Sequence, residues 1–177
     1  MGGIQSFKRR ALLCTVLGVA SGARAYQVRP WAATRPAPPL SLSDIDGKTW
    51  DLSALQGRAV LLNFWANWCE PCREEMPSLE ALAKRHRADP VVVLTVNYQE
   101  SEPAIRRFLE RVPFGLPVLL DRDGSATKAW TPRVFPTTVM IDRSGRPLHQ
   151  IVGAVDWAGD EARRWMHDLL TSGSLRS

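Results

Sequence analysis

Two thiols separated by two residues, Cys69 and Cys72, are the groups in this 177-residue chain best suited to covalent chemistry. A C-x-x-C pair can close to a disulfide, open to a dithiol or hold a soft metal ion. Its position along the chain favours the first two uses. Residues 60–65 form an apolar run of strand length, broken only by Asn63, which predicts a buried strand. From Glu70 onward the spacing turns helical, with Met76, Leu79, Leu82 and Ala83 on one face. The thiols therefore fall where a strand ends and a helix begins. Unpaired backbone N–H groups and the positive end of the helix dipole favour a thiolate there.

Thiol–disulfide exchange needs one thiolate to attack and a second thiol to resolve the mixed disulfide. Cys69, at the helix mouth, is the expected nucleophile, and Cys72, one turn in, the resolving thiol. Glu70 suits the first turn of a helix but opposes a neighbouring thiolate, so it moderates the effect of the dipole. Pro71 fixes φ and removes a donor, holding the sulfurs in bonding geometry. A structural staple is disfavoured, because a disulfide closing so short a loop restrains little of the unfolded chain. A closed zinc site wants four ligands. Beyond Cys14, near the N-terminus, the chain offers this one pair with His86, His149 and His167, and no second pair. No metal site is expected, and no cofactor other than the Cys69–Cys72 disulfide.

The rest of the chain must carry this loop to its place of work. Lys8, Arg9 and Arg10 precede an uncharged stretch, 11–23, and Ala23-Arg24-Ala25 offers an A-x-A cleavage site. This is the plan of a secretory signal peptide over residues 1–25, with an uncleaved anchor as the alternative. The stretch falls short of the roughly 20 residues a membrane helix needs. Arg9-Arg10 weakly resembles a twin-arginine export signal. Cys14, preceded by Leu13, is a poor lipidation site and leaves with the signal. The whole chain carries a formal charge of +5, with 23 basic and 18 acidic residues. Four of the basic residues lie in the leader, which leaves 19 against 18, a net +1. Nothing in that balance calls for a nucleic-acid partner. Export leaves Cys69 and Cys72 as the only cysteines, in a compartment where a disulfide persists.

Residues 26–39, rich in Pro, Ala and Arg, read as a tether, residues 40–172 as one domain, and 173–177 as a tail. Within the domain, 40–51 predicts a hairpin turning at Asp46-Gly47, with Leu42 and Trp50 on its arms. Residues 91–96 predict a second buried strand and 101–112 a helix, capped by Ser101 with Pro103 in its first turn. A strand at 118–120 and a short helix at 126–130 follow. Residues 137–142 and 148–152 pair across the turn at 143–146, and a last helix, capped by Asp156, carries Ala158, Ala162, Trp165, Met166, Leu169 and Leu170 on one face. Alternating strands and helices with a closing hairpin predict an α/β sandwich with helices on both faces of a sheet. The cysteines then sit at the carboxyl end of a strand, where open α/β sheets place their chemistry.

The run Asn63-Phe64-Trp65-Ala66-Asn67-Trp68-Cys69-Glu70-Pro71-Cys72-Arg73-Glu74-Glu75-Met76-Pro77 resembles the TlpA/ResA-like group of the thioredoxin superfamily, with the likeness covering about residues 40–170. The resemblance implies a thioredoxin-like α/β fold, a central mixed sheet with helices on both faces plus an N-terminal hairpin. It also implies an exported thiol–disulfide oxidoreductase. Val134-Phe135-Pro136-Thr137-Thr138 is similar to the segment carrying the fold's cis-proline, which makes Pro136 the expected cis residue. A proline there turns the chain toward Cys69, while Phe135 offers backbone groups to a substrate strand. Trp68, Glu70, Pro71, Phe135 and Pro136 are accordingly the expected substrate-binding residues.

Asn63 departs from the thioredoxin pattern, in which a buried Asp accepts the proton of the resolving thiol; an amide cannot do so. Val96-Asn97-Tyr98-Gln99-Glu100-Ser101 matches a family segment with an acidic residue. Glu100 is therefore the expected replacement, placed beneath the disulfide to shuttle the proton of Cys72. Of Trp65 and Trp68, one is expected to pack under the loop and the other to form part of a partner-binding rim. Glu75 and Pro77 match the family helix. The resemblance further implies a reductant of client protein disulfides, such as apocytochrome c thiols awaiting haem. A membrane thiol–disulfide donor would recharge it outside the cytoplasm, and a monomer is expected. A disulfide-forming oxidase is the alternative within the same chemistry. A copper metallochaperone using both cysteines and His149 is the alternative outside it.

Overall fold

The structure, a computed structural model, describes residues 26–171. The expected leader at 1–25 and the tail at 173–177 lie outside the described residues. At the centre is β4 (Ala59–Trp65), all seven of whose residues are buried. Its alternation sends Leu61, Asn63 and Trp65 to one face, and Val60, Leu62 and Phe64 to the other. Beside it runs β5 (Val91–Tyr98), parallel to β4 and two residues longer than its apolar run suggests. Being covered on both faces explains the unbroken apolar pattern of these strands.

Around this pair the sheet is completed by β1 (Tyr26–Pro30), β6 (Val118–Asp121), β7 (Thr137–Ile141) and β8 (Pro147–Gly153). Among the described residues the order is β1-β8-β7-β4-β5-β6, with β4, β5 and β6 parallel and the other pairings antiparallel. The small hairpin of β2 (Ser41–Ser43) and β3 (Thr49–Asp51) pairs Leu42 with Trp50, as its sequence predicts, and meets the β6 edge through a bridge between Asp44 and Leu119. Buried residues of α1 (Glu70–Arg85), α2 (Glu102–Arg111) and α4 (Asp160–Thr171) share one core with Leu61 and Trp65. The opposite core gathers Val60, Leu62 and Phe64 with Ala126 and Trp130 of α3 (Ser125–Trp130), Trp31 and Leu40. Helices on both faces and a thioredoxin-like mixed sheet are therefore present. No helix among the described residues is long and apolar enough to cross a membrane.

Three expectations are corrected. Residues 26–30, read as part of a tether, are the edge strand β1, paired from Tyr26–Gly153 to Pro30–His149. Four of its five residues are exposed, so burial leaves no apolar signature, and pairing with the open edge of β8 fixes it instead. Ser101 occupies the N-cap of α2, but its side chain makes no capping bond. The last helix begins at Asp160 rather than after Asp156, whose Oδ1 accepts from Ala158 N in the preceding turn, so Ala158 lies outside it.

Candidate active site

Cys69 is the N-cap of α1 and is joined to Cys72 by a disulfide, S–S 2.05 Å. Its Sγ also accepts from Cys72 N at 3.3 Å, the role an oxygen side chain plays at other helix starts. Pro71 falls in the first turn, where a missing N–H forfeits no intrahelical bond. Cys69 is 5 % exposed and Cys72 fully buried, so the sulfur nearer the surface belongs to the expected nucleophile. Glu70 is exposed and lies 3.8 Å from Arg73, an ion pair of little energetic weight in water.

One turn beyond Cys72, on the same buried face of the helix, is Glu75. It is 3 % exposed, yet it is a carboxylate. Its Oε1 accepts from Asn63 Nδ2 at 2.7 Å; its Oε2 accepts from Val155 N at 3.1 Å and Trp157 Nε1 at 3.4 Å. Burial pushes its pKa up to about 7, against the lowering pull of these three donors. The surroundings suit either protonation state. Asn63 also donates to Thr138 Oγ1 at 2.9 Å, and its own Oδ1 is left without a partner. An amide and a hydroxyl can each reverse roles when the carboxyl gains a proton.

Glu100, expected under the disulfide, is held by two donors beside the cysteine loop. Its Oε2 accepts from Asn67 N at 2.8 Å and Asn97 Nδ2 at 2.7 Å, which fastens the loop before Cys69 to the end of β5. Neither of these bonds involves a cysteine. Sequence reasoning noted Glu75 only as a family match and missed its position. The signal was available: Cys72, Glu75, Met76, Leu79 and Leu82 recur at three- and four-residue steps, which puts the carboxylate in the buried stripe.

The two tryptophans divide as expected. Trp65 is buried against Phe108 and Phe114. Trp68 is 66 % exposed and meets Phe135 edge-on, centroids 5.7 Å apart. Phe135 in turn packs on Tyr98 at 5.3 Å, so an aromatic ledge runs from the cysteine loop to the end of β5. Tyr98 had not been singled out from the sequence. The Phe135–Pro136 peptide bond is cis. Gln99 and Arg133, on the two loops flanking this ledge, hold left-handed backbone (φ 55° and 60°) although neither is glycine.

His149 stands opposite Met140, three pairs along β8 from the Thr137–Val152 pair next to Pro136. At about 3.3 Å per residue that is roughly 10 Å from the loop's end of the sheet. Among the described residues no group of three or more His, Cys, Asp or Glu is placed to hold a metal ion.

A family model described as Redoxin matches residues 32–163. The thiol-disulfide oxidoreductase ResA of Bacillus subtilis (strain 168) is 35 % identical over 119 residues, covering 67 % of this chain and 66 % of that protein. Among solved structures, the exposed lipoprotein thioredoxin Etrx1 of Streptococcus pneumoniae superposes with a TM-score of 0.67 at 30 % identity, covering 75 % of this chain and all of that one. A thiol:disulfide interchange protein of the thioredoxin family from Chlorobium tepidum gives 0.67 at 27 % identity, covering 80 % and 97 %.

Proposed function

Because the chain belongs to the redoxin family and is a thiol–disulfide oxidoreductase, we propose that it works outside the cytoplasm as a reductant of disulfides in client proteins. The observation that carries this reading is the asymmetry of the pair: Cys69 at the helix mouth beside an exposed aromatic rim, Cys72 fully buried, with a buried carboxyl one turn further along the helix whose pKa burial raises to about 7. In the dithiol form, Cys69 thiolate attacks one sulfur of the client disulfide. The client S–S bond breaks, and its electron pair leaves on the other client sulfur. Cys72 then gives its proton to Glu75 and attacks Cys69 Sγ, which expels the second client sulfur as thiolate. The enzyme ends oxidised and the client reduced by two electrons. Trp68, Phe135 and Tyr98 offer the client an apolar footing, and the backbone at Phe135 offers it hydrogen bonds.

The resemblance to ResA-like proteins supports an apocytochrome c as client and a membrane dithiol protein as electron donor, with the enzyme acting as a monomer. The leader at 1–25 supports export. The reduction potential of the Cys69–Cys72 couple tests the direction of flow. A reductant requires a value near that of thioredoxin, about −270 mV, whereas about −120 mV would make the protein a disulfide-forming oxidase.

A further inference from the structure

We propose that Glu75 exchanges its proton with solvent through a side pocket on the flank of α1, so that Cys72 can lose its proton while a client covers Cys69. This inference rests on the reductase reading above. The pocket, about 280 Å³, is lined by Glu74, Glu75, Ser78, Ala154, Val155 and Asp156. It lies between α1 and the segment that follows β8. None of Trp68, Cys69, Cys72, Phe135 or Pro136 contributes to its wall. Val155, whose N–H donates to Glu75 Oε2, is part of that wall, while Oε1 is turned to Asn63 on β4. Glu75 is thus part of the pocket wall, while its Oε1 is held by Asn63 on β4.

The need for such a route follows from the burial of Cys72. Its sulfur is fully enclosed, Cys69 is only 5 % exposed, and a client bonded to Cys69 and seated on Trp68 and Phe135 shields that pair further from water. When Cys72 Sγ bonds to Cys69 Sγ, its proton passes to Glu75, the Cys69–client bond breaks, and the client thiolate leaves. Glu75 must shed that proton before the next cycle, because a carboxyl that is already protonated cannot accept another from Cys72. The charged groups at the pocket are the carboxylates of Glu74 and Asp156, both favourable to a departing proton. Asn63 from β4, Thr138 from β7 and Trp157 from the segment after β8, which meet Glu75 and its partners, are uncharged.

Ala154 forms the pocket wall and is only half-buried, so Ala154→Phe fills the opening without touching the thiols. In single-turnover reduction of a protein disulfide, the expected result is an unchanged attack by Cys69 and a resolution step slowed roughly tenfold. That loss lies below the 10²–10⁴-fold that a proton-transfer group as a whole supplies. The reduction potential stays at the wild-type value, which a merely structural disturbance of the site would move. Resolution at the wild-type rate, or equal slowing of both steps, overturns the proposal. A measurement free of any pocket variant uses Cys72→Ala protein trapped as the mixed disulfide. The infrared carboxyl band of Glu75 should shift on transfer to D₂O as fast with the client attached as without it, and a client-dependent delay overturns the proposal. Wild-type protein that reduces no disulfide would sink the reductase reading and this one together; wild-type turnover with an Ala154→Phe variant that matches it would sink the pocket alone.

Discussion

Glu75 shows how a single residue is set by competing forces. Three hydrogen-bond donors pull its pKa down and burial raises it, and burial wins, holding the group near 7. The unfolded carboxyl titrates near 4.5. Between these values the folded chain binds more protons than the unfolded one, so stability falls as pH rises and the loss is complete above about 7. The shift corresponds to on the order of 3 kcal/mol. Urea unfolding of the oxidised protein from pH 4 to 8 should therefore show wild type losing stability relative to Glu75→Gln. That variant carries its own pH-independent cost, since an amide N–H meets Asn63, Val155 or Trp157 as a second donor. A difference that stays flat with pH would mean that Glu75 titrates in the folded protein where it does in the unfolded chain, with no net effect of burial. Glu100 makes the contrasting prediction. Glu100→Ala frees Asn67 N and Asn97 Nδ2, which should cost about 1–3 kcal/mol in denaturant unfolding, and leave the titration of Cys72 in place. A shifted Cys72 titration would return Glu100 to the proton path.

Among the elements, α1 is defined at its start by the redox pair itself, and the loops around it are pinned from neighbouring strands. Asp121 at the end of β6 accepts from Ala126 N and Thr127 N and so caps α3 from within the core. Gly124, the N-cap of α3, has φ of 73°, and a Cβ there would stand 2.7 Å from the Tyr98 ring. Both the conformation and the close approach demand glycine. Gly124→Ala should destabilise the fold by about 1–3 kcal/mol and displace Tyr98 from Phe135. Denaturant unfolding reads the first effect. Client affinity reads the second, with weaker binding expected and attack by Cys69 on a small disulfide unchanged.

On the scale of the molecule, the two edges of the sheet are closed differently. The hairpin β2–β3 stands over β6, and β1 pairs with β8, anchored by an edge-on contact of Tyr26 with Trp165 and a hydrogen bond from its hydroxyl to Glu161. Deleting residues 26–30 would bare the β8 edge, an open template for another strand. The expected outcome is a lower melting temperature and concentration-dependent association in light scattering, with disulfide exchange retained in the monomer fraction. A monomeric, equally stable deletion would show that β1 adds nothing to the sheet. Because β1 begins at Tyr26, residue 26 is already part of the domain. The spacer expected from a tether shrinks to residues 31–39, which themselves run along the fold, with Trp31 in its core.

The sequence by itself determined the strand-to-helix junction, the spacing of the thiols, the two-sided burial of β4 and β5 and the hairpin at Asp46-Gly47. These are local facts: apolar period, turn chemistry and distance along the chain specify them before anything packs. Tertiary structure alone decided the partners of two acids: β4 presents Asn63 to Glu75, and the loop before Cys69 presents its backbone to Glu100. It also decided that residues 26–30 form a strand. An exposed edge strand owes its existence to hydrogen bonds with a partner over a hundred residues away, and burial, the quantity that periodicity reads, hardly changes when it docks.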